Sequence, residues 1–359
     1  MIRSLTLSRF KCFLNLRIPQ LARITLLGGE NSIGKTSLLE AIFLFYGRYA
    51  EDILVRLHGW RGMPVIGLAP EELFAPFFFD YCMDRDILLS FGIDNRTERL
   101  RMFFVPQHRK DTLGGRSGER RPRKAFVRTD VRAVAPNALA LEYQGSRGAS
   151  ETAYILVGSK GLEVEGAPAS GESRTAVFLQ SRSPIAATED AQRFGRLDKM
   201  GLAGEIVEFL KRFYPHLEDL SLIPGPDGKP VIHADIGLAR KVPAGYVGDG
   251  FCRLLSVYLA IASAPKGVVL IDEIGGGIHY SALAKVWRGV EAASEKYGCQ
   301  VVATTHSYEC IQAARQGLEE LLKPDFLYIR LDKSETGVVP KLYSFDVLGA
   351  AVESGWEVR

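Results

Sequence analysis

The stretch Gly29-Glu30-Asn31-Ser32-Ile33-Gly34-Lys35-Thr36 has the residue types and spacing of a phosphate cradle: a glycine, four residues, then Gly-Lys-Thr. Its backbone N–H groups suit a polyphosphate, Lys35 would reach the β- and γ-phosphates, and the Thr36 hydroxyl would ligate Mg²⁺. Gly29, Asn31, Ser32, Gly34, Lys35, Thr36 and Ser37 are the candidate nucleotide-binding residues. Much later, the apolar run Val268-Val269-Leu270-Ile271 ends in Asp272 and Glu273. Asp272 is the candidate second metal ligand, and Glu273 could polarise an attacking water. A further apolar run, Gln300 to Thr304, leads to His306, which can hydrogen-bond a γ-phosphate and report its presence. Lys35, Glu273 and His306 are thus the candidate catalytic residues, with Thr36 and Asp272 for the metal.

These groups act together only if their elements converge. Residues 23–27 read as a short buried strand before the loop, and 37–44 as an apolar helix behind it that stops near Gly47. Acidic residues closing an apolar strand belong at the carboxyl edge of a parallel sheet, where ligands bind. Residues 2–10 and 13–18 alternate as an antiparallel pair. Strand-like stretches at 86–93, 97–105, 138–144 and 153–165 predict an antiparallel β subdomain spanning 86–165, inserted after the first helix. A helical region covers 189–215, a strand 230–236, and the tail predicts strands at 325–332 and 338–343 and a helix at 345–354. The aromatic cluster Phe74, Phe77, Phe78, Phe79 and Tyr81 is expected in the core, and Asp84-Arg85-Asp86 as a solvated turn.

Between Lys35 and Asp272 the chain is too long for a compact kinase or GTPase. Shortly before the acidic strand, Gly248-Asp249-Gly250 opens an apolar helix from Phe251 to Ala262, leaving backbone N–H groups for an anion. The loop at 29–36 already serves the nucleotide of its own subunit. The second helix start is therefore free for the nucleotide of another, which predicts a head-to-tail dimer with ATP between the subunits.

Composition places this chain of 359 residues, 47% hydrophobic and 24% charged, among ordinary globular proteins of one large domain with an insert. A net charge of +3 does not by itself argue for nucleic acid. The charge is uneven, however: Arg109, Lys110, Arg116, Arg120, Arg121, Arg123, Lys124 and Arg128 face only Asp111 and Glu119 across 107–128. This segment suits contact with a phosphate backbone, so DNA is a possible partner; equally, it suits a solvated loop, since no aromatic residue is interleaved to stack bases. Five cysteines form no CxxC pair or metal-ligand spacing, which points to reduced thiols. The N-terminus has no signal-peptide core and no apolar run reaches the ~18 residues of a membrane span, so a soluble, cytoplasmic protein is expected.

The runs RFKCF, GGENSIGKTSLLEAI, GDGFCRLL, GVVLIDEIGGGIHYSAL and QVVATTHSYECI, in this order, resemble the ABC-type ATPases of the overcoming-lysogenization-defect (OLD) group, related in head architecture to RecF and SMC proteins. The resemblance spans essentially the whole chain. It implies one α/β P-loop head over 1–359 with a mixed, mainly parallel core sheet, slow ATP hydrolysis with Mg²⁺, and an ATP-dependent homodimer or an assembly of such dimers. Gly29, Gly34, Lys35 and Thr36 correspond to Walker A, Asp272 and Glu273 to Walker B, Gly248 to Gly250 to the signature, and His306 to the switch histidine. The signature lacks the Ser of Leu-Ser-Gly-Gly-Gln, and Gly275-Gly276 stand where many relatives carry Glu-Asn. About fifty residues follow His306, too few for the Toprim nuclease domain of many OLD proteins. The chain therefore looks like the stand-alone ATPase subunits of antiphage defence systems such as PARIS, whose effector, such as a nuclease, is a separate protein. The alternative is a DNA-binding repair ATPase similar to RecF and SMC proteins.

Overall fold

A hairpin of β1 (Ile2–Phe10) and β2 (Phe13–Ile18) leads into β3 (Ile24–Gly29) and helix α1 (Lys35–Tyr46) in the computed structural model. The structure describes residues 1–50, 52–63, 69–106, 137–145, 150–158, 161–166, 174–181, 186–319, 324–335 and 337–358. The basic segment 107–128 lies outside the described residues. Two short helices, α2 (Ile53–Gly59) and α3 (Pro70–Phe74), precede β4 (Ile87–Ile93), β5 (Arg96–Val105), β6 (Ala138–Gln144), β7 (Ser150–Gly158) and β8 (Gly161–Glu165). Then come β9 (Ala176–Leu179), α4 (Ala186–Lys199), α5 (Ala203–Lys211), β10 (Asp219–Pro224), β11 (Pro230–Asp235), β12 (Val242–Pro243) and α6 (Asp249–Ala262). The chain closes with β13 (Val268–Ile271), α7 (Tyr280–Tyr297), β14 (Gln300–Thr304), α8 (Tyr308–Leu318), β15 (Phe326–Ser334), β16 (Gly337–Ser344) and α9 (Phe345–Glu353).

The core sheet has the order β16-β15-β3-β14-β13-β9. All neighbours in it are parallel except the β15–β16 pair. Its central strands β3, β14 and β13 are buried throughout because both faces are covered. Side chains alternate between the faces. Val269, Ile271, Val301 and Ala303 enter one core, with Phe251 and Trp287, while Val268, Leu270 and Val302 enter a second, with Leu38 and Ile42. A longer run of parallel strands cannot be built without crossovers, and helices supply them.

A second sheet, ordered β2-β1-β4-β5-β6-β7-β8, is antiparallel throughout. The strands within 86–165 join the N-terminal hairpin in this sheet: β4 pairs with β1, with Leu5 opposite Phe91 and Leu7 opposite Leu89. The stretch 153–165 is two strands, β7 and β8, which close between Gly158 and Gly161. Apart from Glu40, helix α1 is apolar from Leu38 to Phe45, and all of these residues are buried. Such a helix needs cover on every face; the core sheet supplies one, and Phe45 meets Phe91 of the second sheet at 4.2 Å between ring centres. A small third sheet holds β10, β11 and β12. Strands β9 and β10 had no signal strong enough to be read from four and six residues alone.

Gln300 joins the two large sheets. Its buried amide accepts from the Ile2 N–H at 2.9 Å and donates to Ile2 O at 2.8 Å and Ala22 O at 2.9 Å. Gln300→Ala leaves the Ile2 N–H and C=O without these partners in a buried place, at a cost of about 3 kcal/mol. The urea midpoint of unfolding is expected to fall accordingly, and an unchanged midpoint would show that the bracket contributes nothing.

Candidate functional site

Strand β3 ends at Gly29 beside the N-terminus of α1, so the loop 30–34 turns within the carboxyl edge of the core sheet. The turn passes through Ser32 at φ 63° and Gly34 at φ 107°. A side chain at Gly34 would place Cβ 2.4 Å from the Phe13 ring and 2.7 Å from Cys12 Sγ, so the tip of the β1–β2 hairpin presses on the loop and only glycine fits. Lys35 Nζ donates to Gly29 O at 2.7 Å and Glu30 O at 3.0 Å, curling the side chain over the loop. Burial pulls its ammonium below the ordinary lysine range, opposed by the charges of Glu273 and Asp272.

One carboxylate gathers the ends of three elements. Asp272 accepts from Thr36 Oγ1 at 3.0 and 3.2 Å and from Thr304 Oγ1 at 2.7 Å. Burial pushes the Asp272 carboxyl up, and the bonds from Thr304 and Thr36 pull it back. The Thr304 hydroxyl oxygen also accepts from the Glu273 N–H at 2.9 Å. Thr36 and Asp272 offer hard oxygen donors of the kind Mg²⁺ takes. Among the described residues no group of three or more His, Cys, Asp or Glu could hold a metal ion. That donor set fits Mg²⁺, which uses one or two protein oxygens and completes its shell with water and phosphate.

Strand β13 stops at Ile271, so Asp272 and Glu273 lie in the turn that follows it. Glu273 sits at φ 52°, in the left-handed region, which costs a non-glycine residue about 1 kcal/mol. Arg253 of α6 holds that turn: Nη2 donates to Asp272 O at 2.6 Å and Glu273 O at 3.0 Å, and Nη1 to Gln180 O at 2.8 Å. Burial draws its guanidinium down against the pull of Asp272, Asp190 and Glu273. With the backbone so fixed, Glu273 Oε2 meets His306 Nδ1 at 2.8 Å. A carboxylate held beside an imidazole at the mouth of a phosphate loop can take a proton from water.

Asn31, Ser32, Gly34, Lys35, Thr36, Ser37 and Glu273 line one cleft of about 650 Å³. Gly29 and His306 join it through the Lys35 and Glu273 contacts. Gly248, Asp249 and Gly250 do not line that cleft. Helix α6 starts at Asp249, two residues before the expected Phe251, with Gly248 as its cap. A side chain at Gly250 would place its Cβ 3.1 Å from Gly277 O and 3.3 Å from Tyr214 Oη, so the helix start packs closely on the turn after β13. It borders a separate hollow of about 280 Å³ with His279 and Lys285.

Sequence reasoning missed Thr304, Gln180 and Arg253. Arg253 is the one charged residue between Phe251 and Ala262, and a lone cation in a buried helix is a signal that a partner awaits it. It also missed the buried Glu40 of α1, which accepts from Lys11 Nζ at 2.6 Å and from Arg61 Nε and Nη2 at 3.0 and 2.9 Å. Lys11 and Arg61 line the same cleft. Asp84 is exposed as expected, and Asp86 pairs with Arg101 at 2.7 Å.

Residues 24–311 match the protein family described as "AAA domain, putative AbiEii toxin, Type IV TA system". A Helicobacter pylori protein described as an "ATP/GTP phosphatase" is 21% identical over 374 residues, covering 96% of this chain and 95% of that protein. Among solved structures, the SMC head bound to the C-winged helix domain of ScpA shares the fold, at a TM-score of 0.50 with 14% identity, covering 98% of this chain and 99% of that one. A Pyrococcus furiosus SMC head with an extended coiled coil, bound to the C-terminal domain of ScpA, gives a TM-score of 0.49 with 11% identity, covering 98% of each chain.

Arg253→Met removes three half-buried hydrogen bonds, two to the turn that carries Asp272 and Glu273 and one to Gln180. It is expected to cost about 3 kcal/mol of stability. Arg253→Lys, which keeps the charge but not the fork, is expected to fall between the two. Urea unfolding of the three proteins checks this, and equal midpoints would remove Arg253 from the role of clamp.

Proposed function

The chain belongs to the AAA-domain family described as putative AbiEii toxin, Type IV TA system, and on that premise we propose an ATP-driven switch that closes a homodimer and controls a separate effector in bacterial antiphage defence. It is an ATPase of the AAA and SMC-like type. The observation that carries the reading is the convergence of Thr36, Asp272 and Thr304 at the start of α1, next to the Glu273–His306 pair. Lys35 leaves the carbonyls of Gly29 and Glu30 for the β- and γ-phosphates, an exchange of acceptors that keeps its charge satisfied. Asn31, Ser32 and Ser37 contribute to the phosphate cradle. Thr36 and Asp272 would hold Mg²⁺, which would supply charge to neutralise phosphate oxygens. Glu273 takes the proton of the attacking water as the bond to the γ-phosphorus forms and the bond to the leaving oxygen breaks. His306 orients Glu273 and senses the γ-phosphate.

The start of α6 serves the second subunit. Gly248 and Asp249 stand at its N-terminus, and Tyr246, two residues earlier, is 84% exposed. This face suits a second copy bringing its own nucleotide, with closure favoured by ATP and loosened by hydrolysis. No helix among the described residues is long and apolar enough to cross a membrane, in keeping with a cytoplasmic role. The defence role rests on the resemblance to stand-alone ATPase subunits, since a fold alone does not assign a function.

Lys35→Ala is expected to abolish ATP binding. Glu273→Gln is expected to bind ATP and hydrolyse it about 100-fold more slowly, because water activation is lost. Undiminished turnover in Glu273→Gln would remove that residue from the chemistry. For closure, Tyr246→Glu sets a carboxylate on the exposed face without disturbing an internal contact. ATP-dependent dimer mass is expected to disappear while ATP affinity of the monomer persists; a dimer equal to that of the wild type would exclude this face.

A further inference from the structure

Residues 76–81, several of which line the cleft, are tied to the hairpin tip that also packs on the phosphate loop. Phe10 bridges to Phe78 in an antiparallel pair, and the Lys11 N–H donates to Phe77 O at 2.9 Å. Lys11 Nζ lies 5.0 Å from the centre of the Phe77 ring. The same hairpin tip rests on Gly34, so residues 76–81 and the loop are positioned by one element. Phe74, Phe77 and Phe78 are buried, as their clustering predicts. Tyr81 is not: it is 69% exposed and lines the cleft. Immediately after the bridge, the backbone passes through two consecutive left-handed residues, Asp80 at φ 54° and Tyr81 at φ 57°. Side chains other than glycine enter that region at a cost, and two in succession mark a turn built to present what it carries.

We propose that Tyr81 is the stacking platform for the purine base of the bound nucleotide and that Asp80 reads the edge of that base, so that the site accepts GTP at least as well as ATP. The proposal rests on the reading of this cleft as the nucleotide site. Asp80 and Tyr81 line the same cleft as Ser32, Lys35 and Thr36. Its volume of about 650 Å³ leaves room for a base beyond the phosphates. The cations that also line it, Lys11 and Arg61, are both engaged by Glu40. Asp80 makes no side-chain hydrogen bond or ion pair among the described residues and is exposed. An ionised carboxylate only accepts. Guanine offers it two adjacent donors, N1–H and the 2-amino group; adenine offers its 6-amino group beside N1, an acceptor that repels it. The preference therefore runs toward guanine.

The test is displacement of fluorescently labelled ATP and GTP from the full chain in Mg²⁺, with inorganic tripolyphosphate as a base-free competitor. Wild type is expected to bind GTP as tightly as ATP or more so. Asp80→Asn tolerates the left-handed backbone and presents a donor and an acceptor, the match for the adenine edge. The ratio of GTP to ATP affinity is expected to fall about tenfold or more. Tyr81→Asn is expected to weaken both nucleotides about tenfold and to leave tripolyphosphate displacement unchanged. A nucleotide ratio in Asp80→Asn equal to that of the wild type, or undiminished affinity in Tyr81→Asn, overturns the assignment. Lys35→Ala separates the two levels. Loss of all three ligands in that variant upholds the cleft as the phosphate site, and a failed base reading then falls alone; retention of all three overturns the cleft reading and the base proposal together.

Discussion

The carboxylate of Asp272 is the point on which the site depends, because it is half-buried and held by hydroxyl donors from two different elements. Burial pushes its carboxyl up, and the bonds from Thr304 and Thr36 pull it back. Those bonds require the start of α1, the end of β13 and the end of β14 to meet within hydrogen-bond reach. Only neighbouring parallel strands bring their carboxyl ends to one edge, so the core sheet is a condition of the site. Burying a polar group without partners costs several times what a typical bond returns, which makes Thr304 as necessary to the arrangement as the acid itself.

The turn after β13 transmits that constraint outward. Glu273 occupies a left-handed conformation and is kept there by Arg253, whose other bond reaches Gln180 at the end of β9. Arg253 lies on the helix that begins at Gly248, so movement of that helix cannot leave the Asp272–Glu273 turn unchanged. The same helix carries Ser256, which donates to Asp190. Arg193 binds both Asp190 and Glu189 at 2.8 Å, and Glu189 faces Arg56 of α2 at 3.7 Å. Arg56 lies 5.5 Å from the ring centre of Trp60, next to Arg61 in the cleft wall. Polar contacts thus run from Ser256 of α6 through Asp190, Arg193 and Glu189 to Arg56, whose ring partner Trp60 precedes Arg61 of the cleft lining.

Helix α1 ties the two large sheets to the same centre. Its N-terminus presents Lys35 and Thr36, its sides are apolar toward both sheets, and Glu40 in its middle binds Lys11 and Arg61. A carboxylate buried this deeply needs such partners, since burial in low dielectric disfavours charge. The hairpin tip, the short helix α2 and the phosphate loop therefore hold their distances through one side chain.

Much of this was legible in the order of residues. Glycine spacing, an apolar run ended by two acids, and a histidine after another apolar run are local patterns, and local patterns decide which strand, turn or helix terminus forms. They placed Lys35, Thr36, Asp272, Glu273 and His306 at element ends, and the structure brings those ends together. What tertiary structure alone decided involves pairs far apart in the chain: β1 beside β4, Gln300 against Ile2, Glu40 between Lys11 and Arg61, and Arg253 over the acidic turn. It also decided that Gly250 packs against Gly277 and that Tyr81 leaves the core its neighbours enter. Periodicity says which side of an element is apolar, but which neighbour covers that side is settled only when the sheets and helices pack.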